Sequence, residues 1–407
     1  KPDTTFVIKH NLRNKKVKVL ATDMAGKPVV VNVRPIDANS VEILDKLDRN
    51  LKFTVLEILK EDKGLWREVR DHAVRFAMMP RSASVRWRNT RSMSIPLYAP
   101  EVGNIFGQSR SYGPMAPGLD FAFGFTDETF IDKAKARGWL LCDDGQTSPA
   151  IWSKTNELNI ELTLEPIRGL KVVLTTNRTD NRTNQVQFMY DNMPVTRTGS
   201  YTKTHCAIGT ALGSSKAEDG YYSPSFDRFL ANIPVVAERV QNQYNGMIYP
   251  ATGFMKDNVH AGMPFDPAVG GVSRTGSDVL IPAFIAAYTG TGADKIYLDP
   301  FPSFAYVLPN WRVTYDGFIN IGNLRNIFKT FTLNHAYQCT YSVGSYSSYL
   351  NWVGVNDNLG FTLDELTGQP IPSSPFNISS VAITEKFAPL LGASVTLKND
   401  LQLSAEY

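Results

Sequence analysis

Few residues in this sequence combine types and spacing that could perform catalysis. His205 and Cys206 are the types of a base and a nucleophile, but neighbours in a strand point to opposite faces and cannot pair directly. Gly290-Thr291-Gly292 lacks the third glycine and the preceding strand of a dinucleotide-binding motif, so we interpret it as a loop. No GxSxG or HExxH motif occurs. We therefore expect no enzyme activity and no catalytic residue.

The remaining polar motifs have ordinary structural interpretations. The acidic pairs Asp143-Asp144, Glu218-Asp219 and Asp364-Glu365 lack the spacing of a calcium loop, so we interpret them as solvated turns. Asn177-Arg178-Thr179 and Asn181-Arg182-Thr183 match the glycosylation sequon, and we interpret this stretch as a polar turn. The three cysteines form no CxxC pair and the five histidines are scattered. We expect neither a metal nor a cofactor.

An arginine-rich stretch has two possible interpretations. Arg81, Arg86, Arg88 and Arg91 alternate with apolar residues, as on a nucleic-acid-binding surface or on a strand whose basic face points into a channel or at lipid phosphate. The whole chain has 42 Lys and Arg against 39 Asp and Glu, a net charge of only +3. Because so small an excess gives no reason to expect a nucleic-acid partner, we favour the strand.

Length and composition restrict the class of protein. The 407 residues are 43% hydrophobic and 20% charged, which excludes a disordered or collagen-like chain. At about 150 residues per domain the length predicts two or three domains, although a β-barrel can be larger as one unit. The sequence has no run of about 18 apolar residues, whereas barrel strands need only about 10 residues of alternating polarity. The chain begins without Met or a signal peptide, so we expect a processed protein or an excised piece.

Alternating strands are the strongest pattern in the chain. Apolar and polar residues alternate over 158–164, 331–343, 391–397 and 401–407, and a tight turn at Lys398-Asn399-Asp400 joins the last two. Such strands are buried on one face only. An outer-membrane strand with an apolar outside and a polar inside has this pattern, and so does a soluble β-sandwich or sheet. The alternation by itself leaves both open.

Two helices and one long insertion interrupt the strands. Helical spacing of apolar residues predicts an amphipathic helix over 62–79 and another over 225–245. Residues 246–303 contain eight Gly and six Pro, about twice the chain's overall frequency, which excludes mostly regular structure there. Long connections opposite short turns are typical of a transmembrane barrel.

Several stretches resemble one family. Residues 115–124 read MAPGLDFAFG and residues 136–140 read ARGWL. Both resemble a segment of the SprA/Sov family, the outer-membrane translocon of the type IX secretion system in Bacteroidota. Further similar stretches follow in the same order at 164–179, 196–200, 308–315, 328–337 and 341–346. The resemblance extends from about residue 70 to the end.

The resemblance implies a protein-conducting channel in the outer membrane of a Gram-negative bacterium. Members form a very large single-chain barrel that exports folded cargo carrying C-terminal sorting domains. A PorV-like partner barrel docks at a lateral opening, a plug protein seals the idle pore, and separate inner-membrane motors supply energy. The partners implied are therefore these proteins, outer-membrane lipid and the remainder of the translocon chain. No family motif is catalytic.

We accordingly predict an all-β fold, a segment of a very large antiparallel transmembrane β-barrel with helical and irregular insertions. Residues 1–80 would form N-terminal strands plus an amphipathic helix, acting as a plug, cap or periplasmic element. Barrel strands would occupy 81–212, with a loop at 101–150, and again 304–407. A long insertion with the helix 225–245 would occupy 213–303, as a loop, plug or cap.

The strand with the longest alternation predicts two faces. The residues predicted to face an aqueous lumen are Thr332, Asn334, Gln338, Thr340 and Ser342. The residues predicted to face lipid or a partner are Phe331, Leu333, Tyr337, Tyr341 and Val343. His335 falls on the apolar face, at an expected interfacial or partner-contact position. A complete porin-like barrel for small solutes and a soluble surface β-protein, such as an adhesin or glycan binder, remain the alternative functions.

Overall fold

The computed structural model of the chain describes most of its length. The described residues are 6–24, 26–45, 50–57, 77–103, 105–113, 115–127, 129–141, 148–189, 195–213, 216, 218, 220–303, 306–356 and 358–407. They belong to two compact units, Lys1–Ala77 and Met78–Tyr407. Strands predominate in both and pair antiparallel, which confirms the coarse prediction of a mainly antiparallel β-protein with helical insertions. Most of the helix predicted over 62–79 lies outside the described residues.

The first unit contains two small sheets of three strands each. One has the order β1-β5-β4 and the other β3-β2-β6. The strands are β1 (Phe6–Lys9), β2 (Val17–Asp23), β3 (Pro28–Val29), β4 (Val33–Pro35), β5 (Ser40–Ile43) and β6 (Leu51–Glu57). A turn closes the β2–β3 hairpin, where the backbone N–H of Asp23 donates to the carbonyl of Lys27 at 2.9 Å.

The second unit is built on a sheet of nine strands. These are β7 (Pro80–Ser94), β8 (Ala150–Ile167), β9 (Leu170–Val186), β10 (Thr196–Thr204), β11 (Asn310–Tyr315), β12 (Phe328–Ser348), β16 (Phe376–Phe387), β17 (Gly392–Leu397) and β18 (Gln402–Glu406). The connection from β12 to β16 holds a small separate sheet of β13 (Val353–Gly354), β14 (Gly360–Leu363) and β15 (Pro370–Ser373).

Two positions in the large sheet are each occupied by two strands placed end to end. β10 and β11 both lie between β9 and β12, with Lys203 opposite Arg178 and Asn310 opposite Thr175. β16 and β17 likewise share the other side of β12. The described sheet therefore has seven columns, β7, β8, β9, β10/β11, β12, β16/β17 and β18. Residues 205–309 leave the sheet in the middle of a column and return to the same column, so the insertion is longer than the predicted 213–303.

The two ends of this sheet differ in their connections. At the end that we call the turn end, short turns join β8 to β9 and β17 to β18. Gly169 in the first turn has φ +82°, and a Cβ there would come within 2.6 Å of the Asp316 carboxylate, so glycine is required. At the opposite end, the loop end, the connections 95–149 and 349–375 are long.

The two glycosylation-type sequons lie within β9, so the predicted polar turn at 177–183 is wrong. β9 pairs with β8 on one side and with β10 and β11 on the other. A run of polar residues therefore indicates here a strand whose side chains are solvated or ion-paired.

Helices occur in the insertions of this unit. They are α1 (Leu119–Ala122), α2 (Phe130–Ala136), α3 (Pro224–Gln243) and α4 (Ser277–Thr289), with 3-10 turns at Gly253–Met255, Gly317–Asn320 and Leu324–Asn326. α3 lies where the sequence predicts a helix over 225–245. It begins with Ser223, whose Oγ accepts the Phe226 N–H at 3.4 Å, and Pro224 occupies its first position. Within the described residues no helix is long and apolar enough to cross a membrane.

The long insertion forms the largest apolar core together with the sheet. Val236 and Val240 of α3 and Ile285 of α4 are buried in one cluster with Tyr341 and Val343 of β12. A smaller core around Phe130, Ile131 and Trp139 packs the 95–149 connection at the loop end. The insertion is thus fixed to one face of the sheet.

Candidate functional site

The strand register assigns the side chains of the large sheet to two faces, because directly opposite residues share a face. One face carries a continuous set of apolar residues toward the turn end, which we call the apolar belt. Its members are Val85, Trp87, Leu158, Ile160, Leu162, Leu164, Leu170, Val172, Leu174, Val313, Leu333, Val395 and Leu403. The belt crosses every column of the sheet.

The apolar belt has no covering layer from the described part of the chain. None of its members belongs to the three buried cores. Val85 is 69% exposed and Trp87 71% exposed at one edge, Leu403 is 55% exposed at the other, and the belt members between them are half-buried. A soluble monomer seldom leaves so long an apolar surface in water. The belt is therefore an unusually long apolar surface for a soluble monomer.

The apolar belt crosses the strands obliquely. It is centred on Val85 in β7 and on Leu403 in β18. When the register is followed from β7 to β18, the centre of the belt moves about eight residues along the strands. At the usual spacings within and between strands, this displacement inclines the belt by about 40–45° to the perpendicular to the strands. Strands of outer-membrane barrels are tilted by about 35–45° from the membrane normal, so a horizontal apolar band would cross them in this way.

Aromatic side chains lie at both borders of the apolar belt. Toward the turn end, Tyr315 packs against Phe318 and Phe318 against Phe331, with ring centroids 4.8 and 5.4 Å apart. Toward the loop end, the ring of Trp311 stacks on Tyr337 at 4.3 Å. The aromatic residues toward the turn end have the arrangement of an aromatic girdle at a membrane–water interface, whereas Tyr337 is completely buried.

The other face of the sheet is mostly polar, with a few apolar residues such as Val173 and Ala336, and we call it the polar face. The residues Thr332, Asn334, Gln338, Thr340 and Ser342, predicted to face a lumen, lie on it together with Arg86, Arg88, Glu157, Asn159, Glu161, Thr175, Asn177, Thr202, Thr204 and Lys386. A depression of about 790 Å³ opens at the junction of β10 and β11, lined by Glu161, Arg312, Gln338, Thr340 and Lys386 among others. Such side chains require water or a polar ligand.

The predicted basic strand face of β7 is only partly formed. Arg86 and Arg88 share the polar face, where Arg88 lies 3.9 Å from the carboxylate of Glu157. Arg91 lies on the opposite face, beyond the apolar belt, and Arg81 pairs with Glu165 at 2.8 Å. The four arginines therefore do not make one basic surface.

The residues predicted to face lipid or a partner divide into two groups. Phe331 and Leu333 lie in or beside the uncovered belt. Tyr337, Tyr341 and Val343 are completely buried, so at these positions the prediction of a lipid or partner contact is corrected. The alternation with period two identifies which residues share a face of the strand. The insertion, however, covers the part of that face toward the loop end.

Hydrogen bonds fix the insertion to this covered part. Tyr201 Oη donates to the carbonyl of Pro302 at 2.8 Å, and Tyr341 Oη donates to the carbonyl of Pro300 at 3.1 Å. The ammonium of Lys203, 1% exposed, donates to the carbonyl of Tyr306 at 2.8 Å. Backbone carbonyls of Pro300, Pro302 and Tyr306 in the insertion thus satisfy three buried donors of the sheet.

His205 and Cys206 do not form a catalytic pair. His205 is 3% exposed and neither ring nitrogen has a hydrogen-bond partner among the described residues. Burial, with the charge of Lys203, lowers the pKa of His205 to about 4. Cys206 packs in a cluster with Tyr337 and Cys339. The described residues bring together no group of three or more His, Cys, Asp or Glu that could hold a metal ion.

Sequence reasoning did not identify the oblique course of the belt, the break between Thr204 and Asn310, or the covering insertion. The break had no local signal, since Thr204 ends one alternating stretch and Asn310 begins another far along the chain. In comparisons with known proteins, no family model and no curated protein matches the sequence.

Proposed function

We propose that the Met78–Tyr407 unit forms part of the wall of an outer-membrane β-barrel that conducts polypeptides, as its resemblance to the SprA/Sov family implies. The observation that carries the proposal is the oblique, uncovered apolar belt on one face of a sheet whose other face is mostly polar. Lipid would contact the belt and water would fill the space beside the polar face.

The edges of the sheet support a wall with more strands. Among the described residues, nothing pairs with the outer edge of β7 or of β18. In a bilayer, each unpaired backbone N–H and C=O would cost several kcal/mol, about as much as any unsatisfied polar group in hydrocarbon. We therefore infer that further strands flank both edges, as the remainder of a translocon chain would supply.

The asymmetry of the connections supports an orientation. Short turns are periplasmic in outer-membrane barrels and long loops are extracellular. The turn end, next to the apolar belt, would then face the periplasm. The loop end, with its long connections 95–149 and 349–375, would face outward. Because residues 205–309 pack on the belt side and not on the polar face, the insertion acts as an extracellular element outside the channel and not as a plug.

A polar wall suits the passage of folded protein. Every strand inside the sheet is hydrogen-bonded on both sides, so only side chains would meet the cargo. Hydroxyl and amide groups such as Thr332, Asn334 and Gln338 exchange hydrogen bonds with water and offer no apolar surface to which cargo would adhere. The PorV-like barrel, the plug protein and cargo with C-terminal sorting domains are part of the same proposal.

Site-specific cross-linking tests the proposal in the intact protein in cells. Single cysteines replace two neighbouring residues in a background whose native cysteines are changed to serine, giving Asn334→Cys and Leu333→Cys. We expect Asn334→Cys to cross-link to a cargo protein stalled during export. Leu333→Cys should resist a water-soluble maleimide that labels Asn334→Cys, because a thiol in hydrocarbon stays protonated, and it should give no cargo cross-link.

The neighbouring positions control for each other, because they share one strand and differ only in face. Cargo cross-links from Leu333→Cys and not from Asn334→Cys would reverse the proposed faces. Modification of Asn334→Cys that blocks small solutes, with no cargo cross-link under any condition, would favour a porin-like pore instead.

A further inference from the structure

A cavity of about 430 Å³ lies between the insertion and the connection from β12 to β16, away from the polar face and the apolar belt. Five separate segments line it: the end of α3, the start of α4, residues 298–301, the group Asn356, Asn358 and Leu359, and residues 374–376. Its apolar walls are formed by Val240, Tyr244, Leu298, Phe301, Leu359 and Phe376. A cavity of this size, apolar with a few polar groups, is typical of small-ligand sites.

Among the described residues, the charged side chains that line this cavity are all acidic. Asp278 and Asp299 contribute carboxylates, Gln243, Asn356 and Asn358 contribute amides, and no Lys, Arg or His is among the described lining residues. One oxygen of Asp278 accepts the Ser374 N–H at 2.8 Å. Asp278 lies in the first turn of α4, where the helix dipole offsets part of its negative charge.

No cation compensates Asp278 in the described part of the insertion. The side chain of Ser374 also hydrogen-bonds this carboxylate, whereas the hydroxyl of Tyr244 donates to the carbonyl of Gly360 at 3.2 Å. Burial raises the pKa of Asp278, since the charged form has lost water without gaining a cationic partner. A buried carboxylate in this state gains strongly from a cation that enters the cavity.

We propose that this cavity binds an ammonium or guanidinium group carried on an apolar body. The cationic group would pair with Asp278, and the apolar body would pack between Tyr244, Phe301 and Phe376. The ligand chemistry has two sources, a lysine or arginine next to an apolar residue in a polypeptide, or a free aromatic amine. The proposal is independent of the membrane and of transport.

Binding to the purified, detergent-solubilised full chain tests it by titration calorimetry. The probes are the peptide acetyl-Ala-Phe-Lys-Ala-amide, its counterpart with norleucine for lysine, and free phenethylamine. We expect the lysine peptide to bind about tenfold or more tightly than the norleucine peptide, since a charged hydrogen bond is lost. Tighter binding of the lysine peptide than of phenethylamine indicates a polypeptide ligand, and the reverse indicates a free amine.

Substitutions in the cavity complete the test. Asp278→Asn keeps an oxygen for the Ser374 N–H and removes the charge. It should weaken binding of the lysine peptide about tenfold or more and leave that of the norleucine peptide unchanged. Asp257→Asn, at an exposed aspartate of the insertion that does not line the cavity, should change neither.

Equal affinities of the lysine and norleucine peptides for the wild-type protein, together with no binding of phenethylamine, would overturn the proposal, even if Asp278→Asn failed to fold. A folded Asp278→Asn variant that loses equal affinity for both peptides would also overturn the proposal. Neither result depends on channel activity, so a failure here is distinct from a failure of the proposed function.

Discussion

The indole N–H of Trp311 donates to Nε2 of His335 at 3.2 Å, and Nδ1 of the same imidazole lies 2.6 Å from the carbonyl of Leu390. The ring therefore carries its hydrogen on Nδ1, is neutral, and has both nitrogens occupied. This explains how a histidine occupies the middle of the apolar belt, where an unsatisfied nitrogen would be costly. The sequence places His335 on the apolar face but does not show its partners.

Removing the indole donor should destabilise the protein because His335 Nε2 then lacks a partner. We expect Trp311→Phe to lower the free energy of unfolding by about 1–3 kcal/mol beyond its packing loss, as for other buried unsatisfied groups. The measurement is denaturant unfolding of the detergent-solubilised protein in a double-mutant cycle with His335→Leu. A coupling energy near zero would show that the hydrogen bond contributes nothing.

Charge introduced on the two faces of β12 should have unequal effects. Leu333 lies opposite Tyr315 and Ala393 in the apolar belt, and Asn334 lies opposite Thr314 on the polar face. Leu333→Arg should cost about 2–4 kcal/mol more than Asn334→Arg if the belt is in lipid, because only the first places a charge in hydrocarbon. Unfolding measured in lipid vesicles gives the comparison, and equal costs would refute the assignment of the faces.

The break in the column between β9 and β12 is closed by two side chains. Thr204 Oγ1 accepts the Asn177 N–H at 3.2 Å, and Asn310 Oδ1 accepts the Cys339 N–H at 2.8 Å. Both side chains replace backbone acceptors that a continuous strand would supply. The insertion can therefore leave the sheet without exposing unpaired amides of β9 and β12.

Truncating either side chain should loosen the sheet locally. We expect Asn310→Ala to cost about 1–3 kcal/mol and to speed hydrogen exchange at the Cys339 amide, since that donor loses its acceptor. Thr204→Val should act in the same way on the Asn177 amide. Ser379→Ala removes an exposed hydroxyl pair with Ser345 and serves as the control, with little expected effect. Unchanged exchange at Cys339 in Asn310→Ala would contradict the assigned role.

The strands and their faces could be predicted from the sequence where burial on one side imposes period two. Leu158, Ile160, Leu162 and Leu164 alternate with polar residues because each pair of neighbours points to opposite faces. The same rule assigned Thr340 and Ser342 correctly to the face opposite Tyr341. Local periodicity is therefore sufficient for the two faces of a strand.

What covers a face could not be predicted, because it depends on residues far apart in the chain. Tyr341 has the same alternation as Leu333, yet the first is buried under the insertion and the second is not. The cavity near Asp278 likewise joins segments separated by long stretches of sequence, and no motif marks it. Both features follow from where residues 205–309 pack.

His205 lies at the boundary between the sheet and the insertion, and it should make their packing depend on pH. In the unfolded chain its pKa is about 6.5, whereas in the folded protein burial and the charge of Lys203 lower it to about 4. The unfolded state therefore takes up the proton first as the pH falls. Stability is complete above about pH 6.5 and is lost progressively down to about pH 4, by about 3 kcal/mol in total.

Replacing this imidazole by an uncharged ring should remove the dependence. The phenylalanine of His205→Phe has a shape similar to that of histidine and needs no hydrogen bonds. It therefore suits the described surroundings, which offer no hydrogen-bond partner to the imidazole of His205. We expect the wild-type protein to show faster hydrogen exchange in residues 205–309 at pH 4.5 than at pH 7.5, after correction for intrinsic exchange, and His205→Phe to show a much smaller difference. The same dependence in both proteins would mean that another group controls the packing of the insertion on the sheet.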